Sequence, residues 1–256
     1  MKRTQDIQDL LRDWPYDPAK AVRVIQGDDG RDVLQVRTPV GLEQFELEGR
    51  PDGLRPHNQD SAFDFYLGRR KKSQAAGEES AFHLSHPECV ELFEEGVLYY
   101  FRYLHLFQLE DWPRTARDTG RNLRMFDFVR QFAHRKEDRQ HLEQWRPYIL
   151  RINGIARAML EVEEHAHERA LHILRETIEK IDALELIDNH NFQAERERSL
   201  QSLQETVEQI EKNKPLTELE QLEKQLRAAV DEQAFERAAA LRDQIREVRT
   251  RPARVK

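Results

Sequence analysis

A single cysteine, Cys89, in 256 residues leaves no intramolecular disulfide framework and fits a reducing compartment. No apolar run approaches the roughly 20 residues needed to span a bilayer. The opening stretch "MKRTQDIQDLLRDWP" lacks the unbroken apolar core of a signal peptide. A Gly-x-x-x-x-Gly-Lys-Ser/Thr phosphate loop is also missing, so helicase-type ATPase chemistry has no residues to run on. Excess positive charge is absent too: the net charge of -7 argues against a general nucleic-acid coat, although not against a local basic patch. These absences predict a soluble cytoplasmic protein that is not an enzyme and needs no cofactor. What is present is 38% hydrophobic and 35% charged residues, a balance that suits an elongated helical protein with much solvated surface.

Period-two alternation dominates only near the N-terminus. A short helix over Thr4 to Asp13 ends at "WPYDP", whose prolines cannot continue it. Val22 and Val24, Leu34 and Val36, then Phe45 and Leu47 alternate with polar residues between turn signals. They predict an antiparallel meander with strands over 21–26, 32–38 and 42–48, one face of which must lie against helices. "DSAFDFYLGRRKK" suits a short helix, and "SQAAGEES" reads as a linker. "SHPE", Ser85 to Glu88, has the form of a capping box with Pro87 in the first turn, and the remainder reads as helix. The expected fold is mainly α (α+β): an α/β-meander segment over 1–72, a linker over 73–84, stacked helical hairpins over 85–187, a connecting helix over 188–214, a terminal hairpin over 215–249 and a basic tail over 250–256. Segments 98–129 and 152–182 share a helix-break-helix layout, with Trp112 matching Ala166 four residues before Ala116 and Ala170. That layout resembles the tetratricopeptide repeat.

The terminal stretch "LEKQLRAAVDEQAFERAAALRDQIREV" holds two short amphipathic helices. Leu219, Leu222, Leu226 and Ala229 share one face of the first. Phe235, Ala238, Ala239, Leu241, Arg242 and Ile245 lay out the second, with alanines small enough to let two backbones approach. A hairpin of this size has too little core to stand alone, so it favours docking onto a second copy or a partner. The partner-binding candidates are Leu222, Leu226, Phe235, Ala238, Leu241 and Ile245. Phe235 is expected in the hairpin core, where its truncation would cost about 3–5 kcal/mol.

These residues resemble the UVR motif (the UvrB/UvrC motif): Leu222-Glu223, Ala228-Ala229, Phe235-Glu236, Ala238-Ala239, Leu241-Arg242-Asp243 and Ile245 stand at its offsets, with Leu226 where methionine is frequent. The resemblance implies a bacterial protein with a protein-docking hairpin. In excision-repair proteins this hairpin lets the helicase and nuclease subunits recognise each other. Related hairpins occur in regulators of a protein arginine kinase and in protease chaperone subunits, so DNA repair and protein quality control are both implied settings. The kinase regulators carry paired-cysteine zinc sites, which one cysteine cannot supply.

Other constellations carry less. His83, His86 and Cys89 fall three apart, but the capping box separates them. Glu164 and His167 form a Glu-x-x-His pair whose nearest companion, Asp138 with His141, has the shorter acid; no metal is expected. Arg114, Arg117, Arg121 and Arg124 lie within roughly 80° of one helical face. They give the alternative reading, a nucleic-acid-binding accessory protein of a repair system, although Asp118 and Asp127 dilute the stripe. Trp112, Trp145, Tyr99, Tyr100 and Phe101 read as core-packing residues. No catalytic set can be assigned.

Overall fold

The computed structural model describes residues 6–77, 81–215 and 218–250 and divides the chain into two compact units, residues 1–208 and 209–256. Thr4, residues 78–80 of the expected linker and residues 251–256 of the basic tail lie outside the described residues.

The first unit begins with α1 (Gln8–Asp13) and an antiparallel meander of β1 (Val22–Gln26), β2 (Asp32–Thr38) and β3 (Gly41–Glu46), in that order. Val22 faces Val36 and Leu34 faces Phe45, so the apolar alternation falls on one side as the sequence predicts. Leu34, Val36, Phe45 and Leu47 close over Leu106 with Val22 at their edge. Val24 departs from expectation: although paired with Leu34, it is exposed on the edge strand.

α2 (Ala62–Ala75) starts at Ser61, whose hydroxyl accepts from the Asp64 backbone N–H at 3.0 Å. α3 (His86–Gln108) starts at the predicted capping box, with the Ser85 backbone N–H donating to Glu88 at 2.7 Å. Burial pushes the Glu88 carboxyl up, but hydrogen bonds from Ser85 and Arg69 outweigh it and hold Glu88 below its ordinary value. After α4 (Trp112–Phe132) and the short α5 (Lys136–His141), α6 (Arg146–Glu163) packs on α4 and α7 (His167–Asp182) packs on α6. The α6–α7 approach is close. A Cβ on Gly154 would lie 2.5 Å from Thr177 Oγ1, which explains a glycine in a helix interior. The division between the units falls within α8 (His190–Asn213), and α9 (Glu218–Asp231) and α10 (Phe235–Thr250) belong to the second unit.

Two buried charged pairs tie the first unit together. Arg102 donates to Asp118 at 2.6 and 2.9 Å, and to the carbonyls of Glu46 and Gly49 at 2.7 and 2.9 Å. That side chain therefore joins α3 to α4 and to the end of the sheet. Glu95 caps α2 by accepting from the Ala62 and Phe63 backbone N–H groups at 2.7 and 3.1 Å, and it also pairs with Arg121. A buried carboxylate is tolerated because every side of it meets a donor.

Among the described residues one turn closes a helix and opens the next at three places. Between α3 and α4, the Asp111 N–H donates to Leu106 O and the Glu110 N–H to Phe107 O, with Glu110 at φ 58°. Ala166 and His165 do the same between α6 and α7, to Glu161 and Val162, with His165 at φ 57°. Ala234 and Gln233 repeat it between α9 and α10, to Ala229 and Val230, with Gln233 at φ 57°. A left-handed residue closing a helix in this way satisfies carbonyls that would otherwise be orphaned. The hydrogen bonds align Trp112 with His167 and Phe235, one residue away from the Trp112–Ala166 match read from the sequence. Three residues further on stand Thr115, Ala170 and Ala238, all small and buried.

Candidate docking hairpin

α9 and α10 pack on one another through little material. Ala229, Ala238 and Leu241 are buried, with Leu222, Leu226 and Ala234 around them. Ile245 is buried further along α10. A core of a few alanines and leucines supplies only a handful of side-chain burials at about 1.5–3 kcal/mol each before chain entropy is subtracted. Arg249 donates to Glu223 at 2.8 Å, linking the two helices through an exposed ion pair of small energetic weight.

Phe235 is not in this core. It is 72% exposed, and Val230 across the turn is 48% exposed. The expected cost of 3–5 kcal/mol for its truncation is therefore corrected: there is little packing to lose. The reason is geometric. Helical side chains tilt toward their own N-terminus, so a residue at the first position of α10 points past the turn rather than onto α9. The spacing Phe235, Ala238, Leu241 reads as one stripe in sequence, and only the position of the helix start separates the first member from the rest. Around Phe235 lie the exposed residues Asp231, Glu232, Gln233, Glu236 and Arg237. The six candidate residues thus divide: Leu222, Leu226, Ala238, Leu241 and Ile245 shape the hairpin, and Phe235, joined by Val230, offers apolar surface at its turn. Val230 has no counterpart in the sequence reading, because it falls outside the apolar stripe of α9.

The arginine row on α4 meets carboxylates of the same unit. Arg114 pairs with Asp111 at 2.8 Å, and Arg117 with Asp118 at 3.0 Å and Glu48 at 2.7 Å. Arg121 is buried against Glu95; burial pulls its guanidinium below the ordinary value despite that partner. Arg124 is exposed.

Cys89 is buried, and burial, with Asp138 and Glu88 nearby, pushes its thiol up to about 12. His86 lies 2.9 Å from Asp138, while His83 meets His134 and His141 stacks on Phe93. Among the described residues no group of three or more His, Cys, Asp or Glu side chains could hold a metal ion, and no helix is long and apolar enough to cross a membrane. Trp112 and Tyr99 are buried as expected, whereas Phe101 at 44% and Trp145 at 41% exposure are not core residues.

Residues 217–251 match the UVR family, the UvrB/uvrC motif. Neither curated proteins nor solved structures gave a match to the chain. The chain therefore contains a UVR motif, and the motif coincides with the α9–α10 hairpin.

Proposed function

We propose that this UVR-motif protein is a non-catalytic adaptor whose terminal hairpin docks another protein, with Phe235 and Val230 as the apolar contacts. The observation that carries this reading is the exposure of a phenylalanine on a hairpin too small to bury it. Exposed aromatic side chains cost little when they are covered on binding, and aromatic anchors dominate protein interfaces. The acidic residues flanking Phe235 favour a partner surface with an apolar socket and a basic rim. The UVR resemblance supports the same reading, because the hairpin of excision-repair proteins joins one subunit to another; DNA repair or protein quality control is the corresponding setting. The single buried cysteine fits work in a reducing compartment.

The test compares partner capture by the intact chain with capture by a chain ended after Asn213. Loss of one defined protein on truncation is the expected result; an unchanged catch contradicts docking by the hairpin. Nucleic-acid binding through α4 is the less favoured reading, because Arg114, Arg117 and Arg121 already face carboxylates. Salt-dependent DNA binding lost on reversing these arginines would favour it instead.

A further inference from the structure

Within the first unit, side chains of α3, α4, α6 and α8 frame a cavity of about 370 Å³. Its walls are mostly aromatic: Phe93, Tyr100, Phe101, Phe126, Trp145 and Tyr148. The Tyr100 ring stands 5.6 Å from Tyr103 and 6.0 Å from Tyr148, and the part-exposed Phe101 and Trp145 lie in the walls where the cavity opens to solvent. Tyr103, also in the lining, is only 1% exposed. Burial pushes the Tyr103 phenol well above its ordinary value and that of Tyr148 up to about 12, so both remain neutral hydroxyls.

The charge of the lining is one-sided. Glu195 contributes a carboxylate, and no lysine, arginine or histidine is in the lining. Its partner is Arg198, at 2.9 Å, on the same helix; Arg198 is itself exposed while the Glu195 side chain is largely covered. Arg151 lies over the Tyr148 ring at 5.2 Å without being part of the lining, so a wall ring already accepts a cation near its face. Aromatic faces carry negative potential, and several of them beside a carboxylate form the chemistry that holds alkylated ammonium groups.

We propose that this cavity binds a small organic cation: an alkylated ammonium on an apolar or aromatic body, its charge near Glu195 and the ring faces, its body against Phe93 and Phe126. The volume lies in the range of sites for whole small molecules, whereas a trimethylammonium head alone would leave much of it empty. A free molecule fits better than the head of an alkylated lysine. This site is independent of the hairpin.

The test is calorimetric titration of the full chain with benzyltrimethylammonium and with its uncharged isostere neopentylbenzene, together with the indole N–H signals of the three tryptophans. The cation should bind at least about tenfold more tightly than the hydrocarbon and move the Trp145 signal. Glu195→Gln should weaken the cation about tenfold and leave the hydrocarbon unchanged, at unaltered Tm. Should Glu195→Gln fail to fold, Trp145→Leu, at a part-exposed wall position, should weaken the cation more than the hydrocarbon. Equal affinities for the two probes, or a Trp145 signal that does not move, would overturn the proposal. Tighter binding of N-acetyl-trimethyllysine amide than of benzyltrimethylammonium would overturn its assignment to a free molecule.

Discussion

Trp112 and Phe235 occupy the same position in two copies of one turn, and their surroundings differ completely. Trp112 is 7% exposed and meets Phe107 edge-on at 5.4 Å, inside a unit with a large aromatic core. Phe235 follows the same hydrogen bonds and the same left-handed residue, yet stands 72% exposed, with Val230 in the place of Phe107. The turn decides where the side chain points; the amount of structure nearby decides whether anything meets it. In the first unit Trp112 is covered; in the second, the described residues leave Phe235 exposed.

The comparison breaks most visibly at Trp112. Trp112→Ala should destabilise the first unit by about 3–5 kcal/mol, measured by denaturant unfolding, because a packed aromatic leaves a cavity. Overfilling the small position three residues on is the next largest effect. Ala238→Leu should separate the hairpin helices at a cost of about 1–3 kcal/mol, read as loss of helicity and of hydrogen-exchange protection in residues 218–250 while the first unit stays protected.

Glu88→Gln should cost about 1 kcal/mol near neutral pH through the weakened capping box. The Glu88 carboxyl is held below its unfolded value, so its contribution is fully present above about pH 4.5 and is lost as pH falls through the folded value. Unfolding measured against pH should therefore show a shallower acid limb in the variant. The smallest stability effect belongs to Phe235→Ala, within about 0.5 kcal/mol of the parent. A large loss of stability there would mean that Phe235 is buried after all.

The strand register, the Ser85 cap and the hairpin were legible because each is written in adjacent residues: alternation, a four-residue motif, a spacing of three and four. Arg102 with Asp118 and Glu95 with Arg121 were not, because the partners come from different helices and meet only when those helices pack. The same limit hid part of the arginine row's surroundings: the face and Asp118 beside it were visible, but Glu48 comes from beyond β3 and Glu95 from α3. Aromatic residues at helical spacing gave no sign that Phe101 and Trp145 would be left part-exposed in a cavity wall, since periodicity names a face without saying how completely the face is covered. For Phe235 the missing fact was smaller still: the residue at which α10 begins.

The most direct measurement is partner capture by the intact chain and by the Val230→Ala/Phe235→Ala variant, with the Tm of both recorded. Docking through the turn predicts that a defined protein held by the parent is lost from the variant, a drop in affinity of at least about 2 kcal/mol, while the Tm is unchanged. An equal catch by both chains would contradict the account, because the one exposed apolar pair on the hairpin's turn would then have no part in binding.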